Sequence, residues 1–211
     1  MDAGDGLRRL VDENGLGDFD HESGLQVGAA TAETEYLAAL MTRYAVDPEK
    51  TVVWTDARSS LHPIRSETRG MEGYFEGEVG ADGQLDLSSP VEATLQLAVA
   101  TMSSGNGLYD REMMRRVEAR RFPTITATLR TMTASETAGR YLVEGDVTFR
   151  GVTQQVTGEV ALSTPAAGTI TFEGEHVFNL PDFGMEPPKI MILKVYPDVR
   201  IRVRIVAKAA G

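Results

Sequence analysis

The sequence predicts an all-β antiparallel domain of about eight strands, with one short internal helix and an acidic, partly helical N-terminal extension. Three observations carry the prediction. From Thr51 onward apolar residues recur with period two, the spacing of a strand with one buried and one solvated face. In residues 1–45 the period is helical instead. Between the alternating runs lie turn residues rather than a regular succession of helices, so a parallel sheet is not expected.

The extension, residues 1–45, holds nine acidic residues against Arg8, Arg9 and Arg43. Leu7, Leu10 and Val11 mark an amphipathic turn, and residues 15–28 are turn-rich. Tyr36, Leu37, Leu40, Met41 and Tyr44 then repeat at helical spacing behind Thr31 as N-cap, with Glu33 and Glu35 in the first turn. A lone helix of about twelve residues is marginal in water, so this one is expected to dock through its stripe. Three roles are open to it: a lid over one end of the domain, an extension of the core, or a homodimer contact.

In residues 46–211 strands are expected at 51–58, 73–79, 91–99, 124–130, 140–149, 153–162, 169–178 and from 199 onward. The clearest is the last, where Val199, Ile201, Val203 and Ile205 alternate with Arg200, Arg202 and Arg204. Asp82-Gly83 is a hairpin signal, and residues 134–139 and 165–168 are turn clusters. The helix is expected over 110–121, capped by Asp110, buried through Met113, Met114 and Val117, and stopped by Phe122-Pro123. Eight such strands hide one face by closing into a barrel or by stacking as a two-sheet sandwich, and periodicity alone does not choose.

Composition narrows the function. The chain has no cysteine, which removes disulfide scaffolds, iron–sulfur clusters, thiolate zinc and a cysteine nucleophile. A net charge of −10 argues against nucleic acid as a main partner. No apolar run approaches the roughly 20 residues of a membrane-spanning helix. Met1–Asp5 shows no basic, apolar leader, so the expected compartment is the cytoplasm, with export as the alternative if a leader has been trimmed. His21, His62 and His176 share no ligand spacing, and no metal or cofactor is expected. Asp182-Phe183-Gly184 spells a kinase triplet but lacks every companion motif. The arginines at 111, 115, 116, 120 and 121 form a basic face. It reads either as a solvated surface neutralised by Glu112 and Glu118 or as a receptor for lipid phosphate or an anionic membrane.

Several stretches in fixed order resemble one family. They are Tyr44-Ala45-Val46-Asp47-Pro48 running to Trp54, Gly73 to Val79, Tyr109 to Met114 with Arg121-Phe122-Pro123, Gly145 to Thr153, Asp182-Phe183-Gly184-Met185 and the closing strand. Together, over residues 44–208, they look like the YceI-like family of lipocalin-like polyisoprenoid-binding domains. The resemblance implies an eight-stranded antiparallel barrel with a long apolar pocket for isoprenoid or other lipid chains. Two positions depart from it. Met113 stands where the family often has histidine, and Asn179-Leu180-Pro181 where an arginine often precedes the aspartate.

The expected function is binding or carriage of such a ligand. Burial is worth roughly 0.8 kcal/mol per methylene-sized group, so a few isoprene units outweigh any single polar contact. The inward candidates are Val52, Trp54, Phe75, Leu95, Leu97, Ile125, Leu129, Val143, Phe172, Phe178 and Phe183, joined by Met185 at the mouth. The same residues would equally make an ordinary filled core. Two alternatives remain at this level. One is a cofactor-free enzyme drawing on Asp182, Glu186, His176 or Tyr141, and the other is a filled barrel acting as an interaction module.

Overall fold

The computed structural model describes residues 41–187, 189–190 and 193–210. Among the described residues eleven strands form: β1 (Arg43–Val46), β2 (Val52–Ser59), β3 (Ile64–Thr68), β4 (Met71–Glu76), β5 (Glu92–Ala98), β6 (Thr124–Ala134), β7 (Arg140–Phe149), β8 (Val152–Ala166), β9 (Thr169–Asn179), β10 (Lys189–Ile190) and β11 (Leu193–Ala209). One α-helix, α1 (Gly107–Arg116), lies between β5 and β6. The antiparallel ladder runs β1–β4–β5–β6–β7–β8–β9–β11 and returns to β1, so the sheet closes into a barrel of eight positions rather than a sandwich.

The 17-residue β11 makes that closure possible. One edge pairs with β9 from Asp198 opposite Asn179 to Lys208 opposite Thr169. The other edge is shared, with residues 195–204 beside β2 and residues 207–209 beside β1. β1 and β2 are thus one strand course interrupted by a turn. Asp47 Oδ1 accepts the Glu49 and Lys50 amides there, each at 3.2 Å. The buried Thr51 hydroxyl fills the break by donating to the Val206 carbonyl and accepting its amide at 3.0 Å. β3 extends the β4 course in the same way, pairing with β2 alone.

Two of the elements that differ from expectation are the start of β1 and the helix. Tyr44 is not helical: it lies in β1 opposite Phe75 and Ala209, buried among Phe75 and Phe172. Its helical spacing from Leu40 and Met41 yields to pairing on both sides, as tertiary context overrides local preference. Tyr36, Leu37 and Leu40 lie outside the described residues. The helix starts earlier and stops sooner than 110–121. Its cap is Asn106, whose Oδ1 accepts the Leu108 and Tyr109 amides at 3.0 and 3.3 Å. Asp110 instead receives Ser103 and Ser104, which fold the approach to the helix.

The outer face of β11 is a row of exposed ion pairs, Arg200–Glu175, Arg202–Asp56 and Arg204–Glu173, at 3.4 to 3.7 Å. Each contributes little to stability on its own. One barrel end is sealed by large side chains: Tyr44, Phe75, Met132, Tyr141, Leu162, Ile170 and Phe172, with Leu85 folded in from the β4–β5 connection. That connection turns at Asp82-Gly83, where Gly83 takes φ +78° and Gly80 donates to the Gln84 carbonyl at 2.8 Å. Tyr141 Oη accepts the Leu85 amide at 2.8 Å and donates to Gln84 Oε1 at 3.2 Å.

Replacing Tyr141 with phenylalanine leaves the buried Leu85 amide without a partner. The expected loss is about 1–3 kcal/mol in urea unfolding, with the fold retained.

Candidate functional site

Between the sealed end and α1 the barrel encloses a cavity of about 520 Å³, walled almost wholly by carbon. A volume of this order suits a small-molecule site. Its existence follows from side-chain size. The three neighbouring strands β7, β8 and β9 each place one glycine on the inner face, Gly145, Gly158 and Gly174, and β5 and β6 add Ala93 and Ala127. At Gly145 a Cβ would meet the Thr128 carbonyl at 2.6 Å, so glycine is required there. At Gly158 a Cβ would meet nothing within 4 Å, so this position simply leaves space.

Large residues gather again at the α1 end. Phe183 lies 5.7 Å from Phe149 and 5.9 Å from Phe178, centroid to centroid, and Val99, Val117 and Met185 form a buried cluster with Met113, Met114 and Leu180. Met113 and Leu180 both line the cavity and present apolar side chains to it. His176 also stands in the wall, where it meets Phe178 edge-on at 4.7 Å.

Of the predicted lining residues, Phe75, Leu95, Leu97, Ile125, Leu129, Val143, Phe172, Phe178, Phe183 and Met185 surround this cavity. Trp54 does not. It sits on the outer face, donating from Nε1 to Glu67 at 3.3 Å and lying under the Arg202 guanidinium. Val52 is buried but shares its parity, and Val53, Thr55 and Ala57 are the inward residues of β2. Ile64, Ser66 and Thr68 of β3, and the small residues named above, complete the wall. Extending the period-two pattern through its glycines marks the latter, since Gly145 and Gly158 stand two residues from Val143 and Val156. The acid–base candidates are not brought together. Tyr141 is at the sealed end, His176 is in the wall, and Asp182 and Glu186 are exposed.

Charge at the α1 end is paired. Glu112 accepts from Arg115 at 2.7 and 3.0 Å and from Arg116 at 2.6 Å. These bonds hold its carboxyl well below the usual range, at about 2. Arg150, in the β7–β8 turn, is the tie between elements. It donates to the Arg116 carbonyl at the end of α1 at 3.1 Å and to the Gly184 carbonyl at 2.6 Å, and it pairs with Glu118. The arginine face of α1 is thus largely neutralised by Glu112 and Glu118, with Arg121 also on Glu118 at 3.6 Å. Among the described residues no group of three or more histidine or acidic side chains is placed to hold a metal ion.

The YceI-like domain model matches residues 44–207, and the chain belongs to that family. Solved structures share the fold at low identity. Burkholderia cenocepacia BcnA superposes with a TM-score of 0.64 at 18% identity, covering 77% of this chain and 99% of that one. A polyisoprenoid binding domain from Saccharophagus degradans gives 0.59 at 13% identity, covering 79% and 98%. Campylobacter jejuni YCEI protein gives 0.55 at 13% identity, covering 68% and 84%. No curated protein sequence matches.

Two outcomes are expected from the α1 end. Glu112 titrates near its ordinary 4.5 when unfolded and near 2 when folded, so its stabilisation is complete above about pH 4.5 and is lost as pH falls toward 2. Thermal unfolding across that range should show Glu112→Gln lagging the parent most at the upper end and converging with it at the lower. Arg150 has φ +53°, which asparagine tolerates, so Arg150→Asn removes the tie without new backbone strain. Hydrogen exchange should then quicken in α1 and residues 180–185 and stay unchanged in β7 to β9.

Proposed function

We propose that this YceI-like chain carries a long apolar molecule, of isoprenoid or similar lipid chemistry, inside its barrel, and that it does so by burial rather than by reaction. One observation carries the reading: the interior is hollow where it could have been filled. Glycine and alanine occupy the inner face at mid-barrel while aromatic and aliphatic residues pack both ends. A filled core would put bulk at a position such as Gly158, where a Cβ meets nothing within 4 Å, because unfilled apolar volume forfeits dispersion contacts. The Saccharophagus degradans domain that shares the fold is described as polyisoprenoid binding, which agrees with this reading.

Recognition by such a wall is through shape and area. Each methylene-sized group buried contributes roughly 0.8 kcal/mol, less what chain ordering costs. The hydroxyls of Thr55, Ser66 and Thr68 and the imidazole of His176 offer hydrogen bonds to a ligand's polar end.

Native mass spectrometry of freshly purified protein, followed by organic extraction, should show a near-stoichiometric long-chain species. Gly158→Phe projects a ring into the cavity from a backbone that accepts it, and should retain the fold while reducing bound lipid at least tenfold. Apo protein that takes up no polyprenyl lipid on incubation, or undiminished loading of Gly158→Phe, would overturn the proposal.

A further inference from the structure

The end of the barrel that carries α1 differs from the rest of the surface in two ways. Leu61 at the β2–β3 turn is 60% exposed, Leu108 at the start of α1 is 47% exposed, and Tyr196 in β11 is 40% exposed. Contacts place the three on one rim. His62 faces Tyr109 at 6.4 Å between ring centroids, which brings the turn against the helix start. Ser60 donates its amide to the Lys194 carbonyl at 2.8 Å, and Val195 lies opposite Ser59, which brings the turn against the beginning of β11. Arg58 lies over the Tyr196 ring at 5.7 Å.

Charge is the second difference. Residues 58–64, 102–122, 149–152, 179–187, 189–190 and 193–198, which build this end, carry nine basic against six acidic side chains, in a chain whose net charge is −10. Among the described residues Arg58, Arg111 and Lys194 make no salt bridge, whereas Asp110 and Glu112 are held by Ser103, Ser104, Arg115 and Arg116. Exposed leucine and tyrosine interleaved with unpaired cations is the composition that settles at a bilayer interface, where the rings and aliphatic tips enter the headgroup layer and cations meet lipid phosphate. The rim also surrounds the cavity's α1 end, so Ile64 and Tyr109 pass from the rim into the wall.

We propose that this rim docks on the surface of an anionic lipid bilayer, presenting the cavity mouth to the membrane from which an apolar cargo would be taken. The proposal rests on the carrier reading for its purpose but not for its test, which uses vesicles and no cargo.

The full chain would be co-sedimented with vesicles of phosphatidylcholine alone and of phosphatidylcholine mixed with phosphatidylglycerol. The expected result is binding to the mixed vesicles that weakens as salt is raised. Leu61→Asp with Leu108→Asp should lower the partition at least tenfold, and Arg58→Gln or Lys194→Gln about fivefold each. Leu142→Asp, exposed on the outer wall of β7, should leave it unchanged. Circular dichroism would confirm that each variant is folded. The proposal is overturned if neither vesicle binds, or if the double leucine variant binds as the parent does. It is also overturned if light scattering shows a dimer that the leucine changes dissociate, which would make the rim a contact between copies. Failure here leaves the extraction experiment standing as the separate judge of cargo.

Discussion

The ladder between β11 and its neighbours is the constraint on which the rest depends. Closing an antiparallel sheet removes both free edges, and here the closing strand must be long enough to span both halves of an interrupted neighbouring course. β11 does so by lying against β9 along one edge and against the β1–β2 course along the other. Its alternation of valine and isoleucine with arginine then fixes which face is inside, and every other strand inherits its register from that choice. Thr51 shows how tightly this is held, since its side chain replaces the ladder bonds where the paired course is broken.

Closure with eight strands sets the width of the interior, and side-chain volume decides what becomes of it. At one end aromatic rings pack to a seal, with Phe75 and Phe172 at 5.0 Å, and the Tyr141 hydroxyl satisfies the loop that covers them. In the middle the same inward parity is spent on glycine and alanine. The walls stand because backbone hydrogen bonds, not core packing, hold them apart. A closed barrel tolerates a hollow centre for that reason, whereas a helical bundle of equal size would collapse into one.

The regular part of this was legible in the sequence. The run from Arg140 to Phe149 is β7 to the residue, and the alternation around Val199 located the closing strand. What escaped was local phase. Val52 and Trp54, within the expected strand 51–58, are expected inside, but the turn at residues 47–50 resets the parity and Trp54 emerges beside Arg202. β3 went unrecognised because Ile64, Ser66 and Thr68 alternate a weakly apolar set against Arg65 and Glu67, and hydroxyls facing a cavity resemble hydroxyls facing water. The glycines of the wall are inconspicuous in the sequence for a related reason. A pattern search weighs the residues that fill space, and a binding cavity is made by the ones that do not.

The two ends of the barrel are built on different principles, and this asymmetry bears on how a cargo would enter. The sealed end is apolar packing plus a buried hydrogen-bond pair, which opens only with the fold. The α1 end is a separate piece of chain, held to the barrel by apolar contacts of methionine and leucine and by one arginine reaching three partners. Methionine repacks at little cost, and a surface-facing guanidinium exchanges its carbonyl partners for water far more readily than a β-ladder parts. Of the two ends, the α1 end with residues 180–185 therefore opens locally at the lower free energy. A ligand that fills the cavity restores the dispersion contacts the hollow forgoes, and it binds the folded state alone. Loading would then stabilise the whole barrel by mass action while the route in stays confined to the weaker end.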